Sequence, residues 1–234
     1  MKKFFLYTIL LSCTFVQAQF GTNVFAKDPI VNLENFDKQR VHWGYFLGFN
    51  SYDFKFDYIA PATDIVAERT TGFNVGLVGN LRIFEYLDLR FEPGLYYTQR
   101  NLSFPAVDDP GDRIREVKST YIHFPLLLKF SAKRTGNIRP YLVGGVSRAV
   151  NLGSNELSME DNDAGTFRMK RWTNNYEMGF GIDIYFEYFK FSPSIRGVFG
   201  LDDELIRDND PNSPYTGNVD AMRTRGVFIN FTFH

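Results

Sequence analysis

Three histidines, His42, His123 and His234, are the first residues to weigh for chemistry. Histidine titrates near neutral pH and serves as general base, proton carrier or metal ligand. Their surroundings form no H-E-x-x-H motif, and the chain carries no G-x-S-x-G and no phosphate-cradling glycine loop. Cys13 is the only cysteine, which leaves no disulfide framework and no cysteine-based metal site. Carboxylates gather in Asp108-Asp109-Pro110-Gly111-Asp112, Glu160-Asp161-Asn162-Asp163, Asp202-Asp203-Glu204 and Asp208-Asn209-Asp210. Such oxygen-rich runs can bind calcium, but none has EF-hand spacing. Their other reading is solvated turns that repel surface polysaccharide or bridge it through cations. A last set, Arg82, Asp88, Arg90, Glu92, Lys129, Glu177, Asp183, Lys190 and Arg196, is balanced in sign. It suits either an ion or proton path or an interior closed by paired charges. No catalytic, cofactor-binding or metal-binding residue is assigned from these groups. The expectation is a protein that is not an enzyme, with no cofactor and no small-molecule substrate.

The elements that carry these residues alternate with period two, the mark of strands with two unlike faces. Leu87, Leu89, Phe91, Leu95 and Tyr97 share one face, with Asp88, Arg90, Glu92 and Gly94 opposite. Tyr176, Met178, Phe180, Ile182 and Ile184 alternate with Glu177, Gly179, Gly181 and Asp183. The chain ends Val227, Ile229, Phe231, Phe233 on one face, with Asn230, Thr232 and His234 on the other. Aromatic residues make up 17% of the chain, yet its composition is polar on average. A membrane barrel reconciles the two, with apolar side chains toward lipid and polar ones toward the lumen. The predicted fold is all-β, an eight-stranded antiparallel up-and-down transmembrane β-barrel. Its strands are placed at 41–58, 69–82, 86–102, 114–131, 138–151, 168–186, 188–200 and 222–234.

The first residues set the compartment. Lys2 and Lys3, the apolar Phe4–Leu11 stretch and Val16-Gln17-Ala18 match a secretory signal peptide over 1–18. A rival reading takes Leu10-Leu11-Ser12-Cys13 as a lipobox, with Cys13 lipidated. The net charge of −1 drops by two when Lys2 and Lys3 are removed, a mild balance that points to no nucleic-acid partner. Residues 19–40 form a periplasmic N-terminal leader, either disordered or a docking segment for a periplasmic partner, and 41–234 the outer-membrane barrel. Connections alternate between short (83–85, 132–137, 187) and long polar (59–68, 103–113, 152–167, 201–221), as short periplasmic turns and long extracellular loops do. An even strand count then puts both termini in the periplasm. In this topology no histidine reaches the outer rim, where barrel proteases and lipid-modifying barrels place His, Asp or Ser.

Four details follow. Tyr96, Tyr97, Tyr121, Trp172 and Tyr176 are expected to form an outer aromatic girdle. Pro93, Pro125, Pro140 and Pro193 cannot donate to a ladder, so bulges or strand ends are expected there. Tyr45, Leu47 and Phe49 share one parity and Phe54, Phe56 and Tyr58 the other, which predicts a bulge near Asn50–Asp53. Eight strands enclose a lumen that side chains can fill, so a wide pore is excluded.

The stretch Asn35-Phe36-Asp37-Lys38-Gln39-Arg40-Val41-His42-Trp43-Gly44-Tyr45-Phe46-Leu47-Gly48-Phe49-Asn50 resembles the start of PorT-like barrels. Tyr121–Phe130, with its internal Pro125, and Arg139–Val146 resemble strands of the wider group of small Bacteroidota outer-membrane barrels. That group often carries an acidic residue where His123 stands. The PorT-like resemblance implies a non-catalytic part in type IX protein secretion and gliding motility. It implies outer-membrane lipid and other membrane or periplasmic secretion proteins as partners. A general structural or adhesive barrel that works through its loops is the second reading. A rim enzyme or narrow channel is the third.

Overall fold

The structure, a computed structural model, describes residues 30–61, 65–105, 107, 109, 112–158, 161 and 167–234. The expected signal peptide 1–18, Cys13, the first part of the leader and acidic positions 108, 160 and 163 lie outside the described residues.

Ten strand elements follow a short 3-10 turn at Phe36–Lys38. They are β1 (Val41–Tyr58), β2 (Val66–Arg69), β3 (Thr71–Phe84), β4 (Leu87–Phe91), β5 (Gly94–Ser103), β6 (Ile114–Ser131), β7 (Ile138–Asn151), β8 (Trp172–Tyr185), β9 (Lys190–Gly200) and β10 (Val219–Phe233). The expected second strand appears as β2 and β3, and the third as β4 and β5. Every pairing is antiparallel, and β1 bonds both β10 and β3. The sheet therefore closes on itself as an eight-membered ring through Val41–Ser51 of β1, while beyond Ser51 no ladder pairing joins β1 to β2 among the described residues.

Side-chain alternation explains why these segments pair this way. Along β1, Phe46 is fully buried while Leu47 is 47% exposed. Lipid-facing Trp43, Tyr45, Phe73, Leu77, Phe130, Met178, Phe180 and Ile229 form an apolar outer band. Residues of the opposite parity fill the inside. Glycines make that filling possible. A side chain at Gly76 or Gly94 would run into the Phe46 ring, and one at Gly181 into the Tyr141 hydroxyl. Small and large residues thus alternate across the lumen.

Pro93 meets the expectation of a strand end, and the other three prolines lie within strands. Pro93 separates β4 from β5, yet the pairing with β6 keeps one register across the gap, from Phe91↔Leu126 to Gly94↔His123. Pro125, in β6, faces the same gap and accepts from Glu92 N at 3.3 Å. Two prolines share one interruption, so neither strand bulges. Pro193 similarly interrupts the β8–β9 ladder between Gly181↔Ser194 and Ile184↔Phe191 without a slip. Pro140 stays within β7, opposite Ile182.

The bulge expected near Asn50–Asp53 does not exist. The β1–β10 register runs unbroken from Tyr45 to Asp57 and shifts only between Asp57 and Tyr58. Phe54 points inward, 2% exposed, and Phe56 and Tyr58 pack beside it. Beyond the membrane the barrel interior is apolar. There Phe54, Leu102, Phe104, Val117, Phe167, Met169, Leu205, Tyr215 and Met222 form a core beneath the long loops. The girdle is corrected for the same reason. Tyr97, Trp172 and Tyr176 face outward, but Tyr96 and Tyr121 lie inside, 0% and 2% exposed.

Candidate functional site

The lumen and its short-turn mouth hold nearly all the buried charge expected from the sequence. Arg90, Lys129, Lys190 and Arg196 face Asp88, Glu92, Glu177 and Asp183, none more than 9% exposed. Each sits at an inward position of β4, β6, β8 or β9, apart from Glu92 in the gap before Pro93. Arg82 is the exception. It is at the rim, only half-buried, and donates to the Glu85 carbonyl at 3.2 Å. β3 runs only two residues past it, and the β3–β4 register shifts there.

Two clusters emerge. In the lower one Lys129 Nζ meets Asp183 at 2.6 Å, Ser192 Oγ donates to the same carboxylate at 2.6 Å, and Lys190 stands 4.0 Å off. The Lys129 ammonium also lies 4.0 Å from the Tyr141 ring centre, a cation–π contact. In the upper cluster Glu92 bridges Arg90 and Arg196, the latter at 2.7 Å. Arg196 reaches Glu177 at 2.9 Å, and His123 Nδ1 is 3.3 Å from Glu177. His123 thus contacts a carboxylate of its own, supplied by β8. Above them Tyr52, Tyr96, Tyr121 and Phe228 stack across the bore. Arg100 covers Phe54 at 3.7 Å and donates to the Tyr121 hydroxyl at 2.7 Å. Buried charges of this kind cost several kcal/mol each when unpaired, roughly. The pairing is therefore what lets a narrow bore hold them.

The lower mouth is closed by the chain's own leader, which is neither a disordered tail nor a free docking strand over residues 30–40. Asn137 Nδ2 donates to the Ile30 carbonyl at 2.8 Å, and Asn32 N donates to Asn137 Oδ1 at 2.9 Å. Arg134 donates to the carbonyls of Asn32 and Leu33, which holds Leu33 in a left-handed conformation at φ 47°. Asp37 accepts from the Tyr185 hydroxyl at 2.7 Å, with Arg139 at 3.5 Å. Phe36 inserts as a plug. Its ring centre is 5.1 Å from that of His42 and 6.3 Å from that of His234, with Lys190 Nζ 4.7 Å away. His42 and His234 meet, 5.1 Å apart, because the first and last strands are neighbours in the ring.

Sequence reasoning missed Asp37, Asn137, Arg139 and Tyr185 as a set. Their contacts join residues about a hundred positions apart, and no local pattern marks them. At the other end the acids act as fasteners. Asp161 and Asp208 hold Arg168 at 2.9 and 3.2 Å, and Asp202 accepts from Asn174 at 2.9 Å. Among the described residues no group of His, Cys, Asp or Glu is arranged to hold a metal ion.

Comparison with known proteins places this geometry. The family model for the outer membrane protein beta-barrel domain matches residues 17–205. Solved structures similar to the chain include the N-terminal β-barrel domain of OprF from Pseudomonas aeruginosa. It is 17% identical, covers 81% of this chain and 97% of its own, and has a TM-score of 0.39. OprG from the same organism is 15% identical, covering 83% and 94%, with a TM-score of 0.43. Neisserial surface protein A is 10% identical, covering 80% and 95%, with a TM-score of 0.42. Among curated proteins no relative matches the sequence.

Proposed function

The chain belongs to the outer membrane protein beta-barrel domain family, and from that premise we propose that it is a non-enzymatic accessory or assembly component required for type IX protein secretion, with a part in gliding motility. Its place is the outer membrane, with the short turns and the leader on the periplasmic side. The observation that carries the reading is the segment Asn35–Asn50. It bears the PorT-like resemblance, and it includes the plug residues Phe36 and Asp37 and the first strand of the barrel. A secretion role through surfaces is favoured by the lumen, where Lys129 pairs with Asp183 and Arg196 with Glu92, and by its covered lower mouth. A folded cargo has no passage through eight strands. The partners in this reading are other membrane or periplasmic proteins of the secretion machinery.

Deletion of the gene tests the proposal. Cargo bearing the system's C-terminal secretion signal should stay in the cell, and the intact gene should restore its export. Normal export in the deletion strain would end the reading. The alternative is a structural or adhesive barrel, favoured by the folded outer cap with its own apolar core. Replacement of the loop tips at 103–113 and 201–218 separates the two. Lost surface binding with intact secretion supports adhesion.

A further inference from the structure

On the periplasmic rim, where the leader enters β1, a groove of about 720 Å³ is lined by Lys38, Arg40, Leu81, Arg82, Ile83, Phe84 and Glu85. Its two walls differ in chemistry. Leu81, Ile83 and Phe84 are 40%, 44% and 68% exposed and continue the lipid-facing band downward. The other wall is cationic. Arg82 N donates to the Arg40 carbonyl at 2.8 Å, one step beyond the Val41↔Leu81 pair. The two arginines therefore stand opposite each other on neighbouring strands. Like charges in that position repel.

On its other side Arg82 stands opposite Asp88 of β4, with no ion pair between them. Among the described residues no carboxylate forms an ion pair with Lys38, Arg40 or Arg82. Lys38 Nζ donates to Asn35 Oδ1 at 2.9 Å, and Arg82 takes a backbone carbonyl. Glu85, the one acid on the groove wall, forms no ion pair with these cations. The site thus sets converging cations, none ion-paired among the described residues, beside an apolar wall open to the bilayer.

We propose that this groove binds an anionic glycerophospholipid of the periplasmic leaflet. The phosphodiester sits between Arg40 and Arg82 with Lys38 beside it, and an acyl chain runs over Leu81, Ile83 and Phe84. Guanidinium groups match phosphate oxygens in pairs. Interfacial cations with apolar neighbours are the usual readers of anionic headgroups. The occupant would fasten the leader's exit to the bilayer surface. This inference needs only the outer-membrane position and stands apart from the secretion role.

Native mass spectrometry of the detergent-solubilised full chain, titrated with phosphatidylglycerol, tests it. The wild type should retain one lipid, and Arg40→Gln/Arg82→Gln should weaken retention roughly thirtyfold. Phosphatidylethanolamine, with no net charge, should be retained more weakly than phosphatidylglycerol, and inorganic phosphate at equal concentration should not displace the lipid. Unchanged binding by the double variant overturns the proposal. Displacement by free phosphate also overturns it, because the site would then read phosphate and not lipid. Should the double variant fail to fold, Lys38→Gln carries the test. Its exposed side chain contributes only one internal hydrogen bond, and roughly fivefold weaker retention is expected. Retention equal to wild type rejects the site.

Discussion

Asp183→Ala should destabilise the barrel by about 3–5 kcal/mol, the usual cost of leaving a buried charge without its partner. The carboxylate takes Lys129 Nζ at 2.6 Å and Ser192 Oγ at 2.6 Å, with Lys190 at 4.0 Å. Its removal leaves two ammonium groups, each 1% exposed, facing one another across a narrow bore. Lys190 Nζ keeps His42 Nε2 at 3.4 Å, which offers no negative charge. Losing the partner of Lys129 alone accounts for the lower figure, and the stranding of Lys190 raises it. With a denaturant slope of about 3 kcal/mol per molar urea, the unfolding midpoint should fall by about 1–2 M. Urea titration in lipid vesicles reads this through Trp43 and Trp172, both lipid-facing and exposed. Asp88→Asn/Lys129→Met/Asp183→Leu/Lys190→Met, which removes the charges of the lower lumen together, should recover most of the loss. A midpoint within about 0.3 M of wild type for Asp183→Ala would refute the view that paired charge holds the lower lumen.

Three further outcomes follow from other parts of the molecule. Asp37→Ala removes the acceptor of the Tyr185 hydroxyl and the anion facing Arg139. Amide exchange over residues 32–39 should then speed up by roughly thirtyfold, for about 2 kcal/mol of lost closure, and unchanged exchange would mean the leader is held elsewhere. Gly94→Val drives a side chain into Phe46 at 2.7 Å, which should cost about 1–3 kcal/mol. Added Phe46→Ala should relieve the clash, and a double variant no better than the sum of the two single changes argues against that contact. Glu204, in the outer loop, is buried against Thr224, and burial pushes its carboxyl above the usual range although Arg100 and the Thr224 bonds oppose this. The folded state then keeps a proton that the unfolded state gives up. Stability present below the unfolded pKa should fall as pH rises through the window above it. Glu204→Gln should flatten that slope, and an identical slope in wild type and variant contradicts it.

The sequence is legible where alternation is unbroken. The expected bounds of β6 and β7 coincide with the structure because each keeps one parity, and those of β1 coincide although its apolar side chains change face after Asn50. Inward charges were readable for the same reason. Errors arose where the rule "apolar means lipid" no longer applies. Phe54, Phe56 and Tyr58 rise above the bilayer, where the loops fill the bore with their own apolar core. Tyr96 and Tyr121 have the inward parity, and their hydroxyls did not reveal it because a girdle tyrosine looks the same in sequence. Arg82 has the inward parity but sits at a strand end, where parity no longer decides exposure. The plug was out of reach altogether. Its anchors are the side chains of Asn137, Arg139 and Tyr185, set by ring closure and not by neighbours in sequence.

A bore with ion-paired luminal charge and a covered lower mouth should not conduct ions. Conductance of the purified full chain in a planar bilayer tests it most directly. The wild type should hold a quiet baseline with no stepwise openings under moderate voltage. Discrete, repeated ion-conducting steps from the wild-type protein would contradict it and return the lumen to the centre of its function.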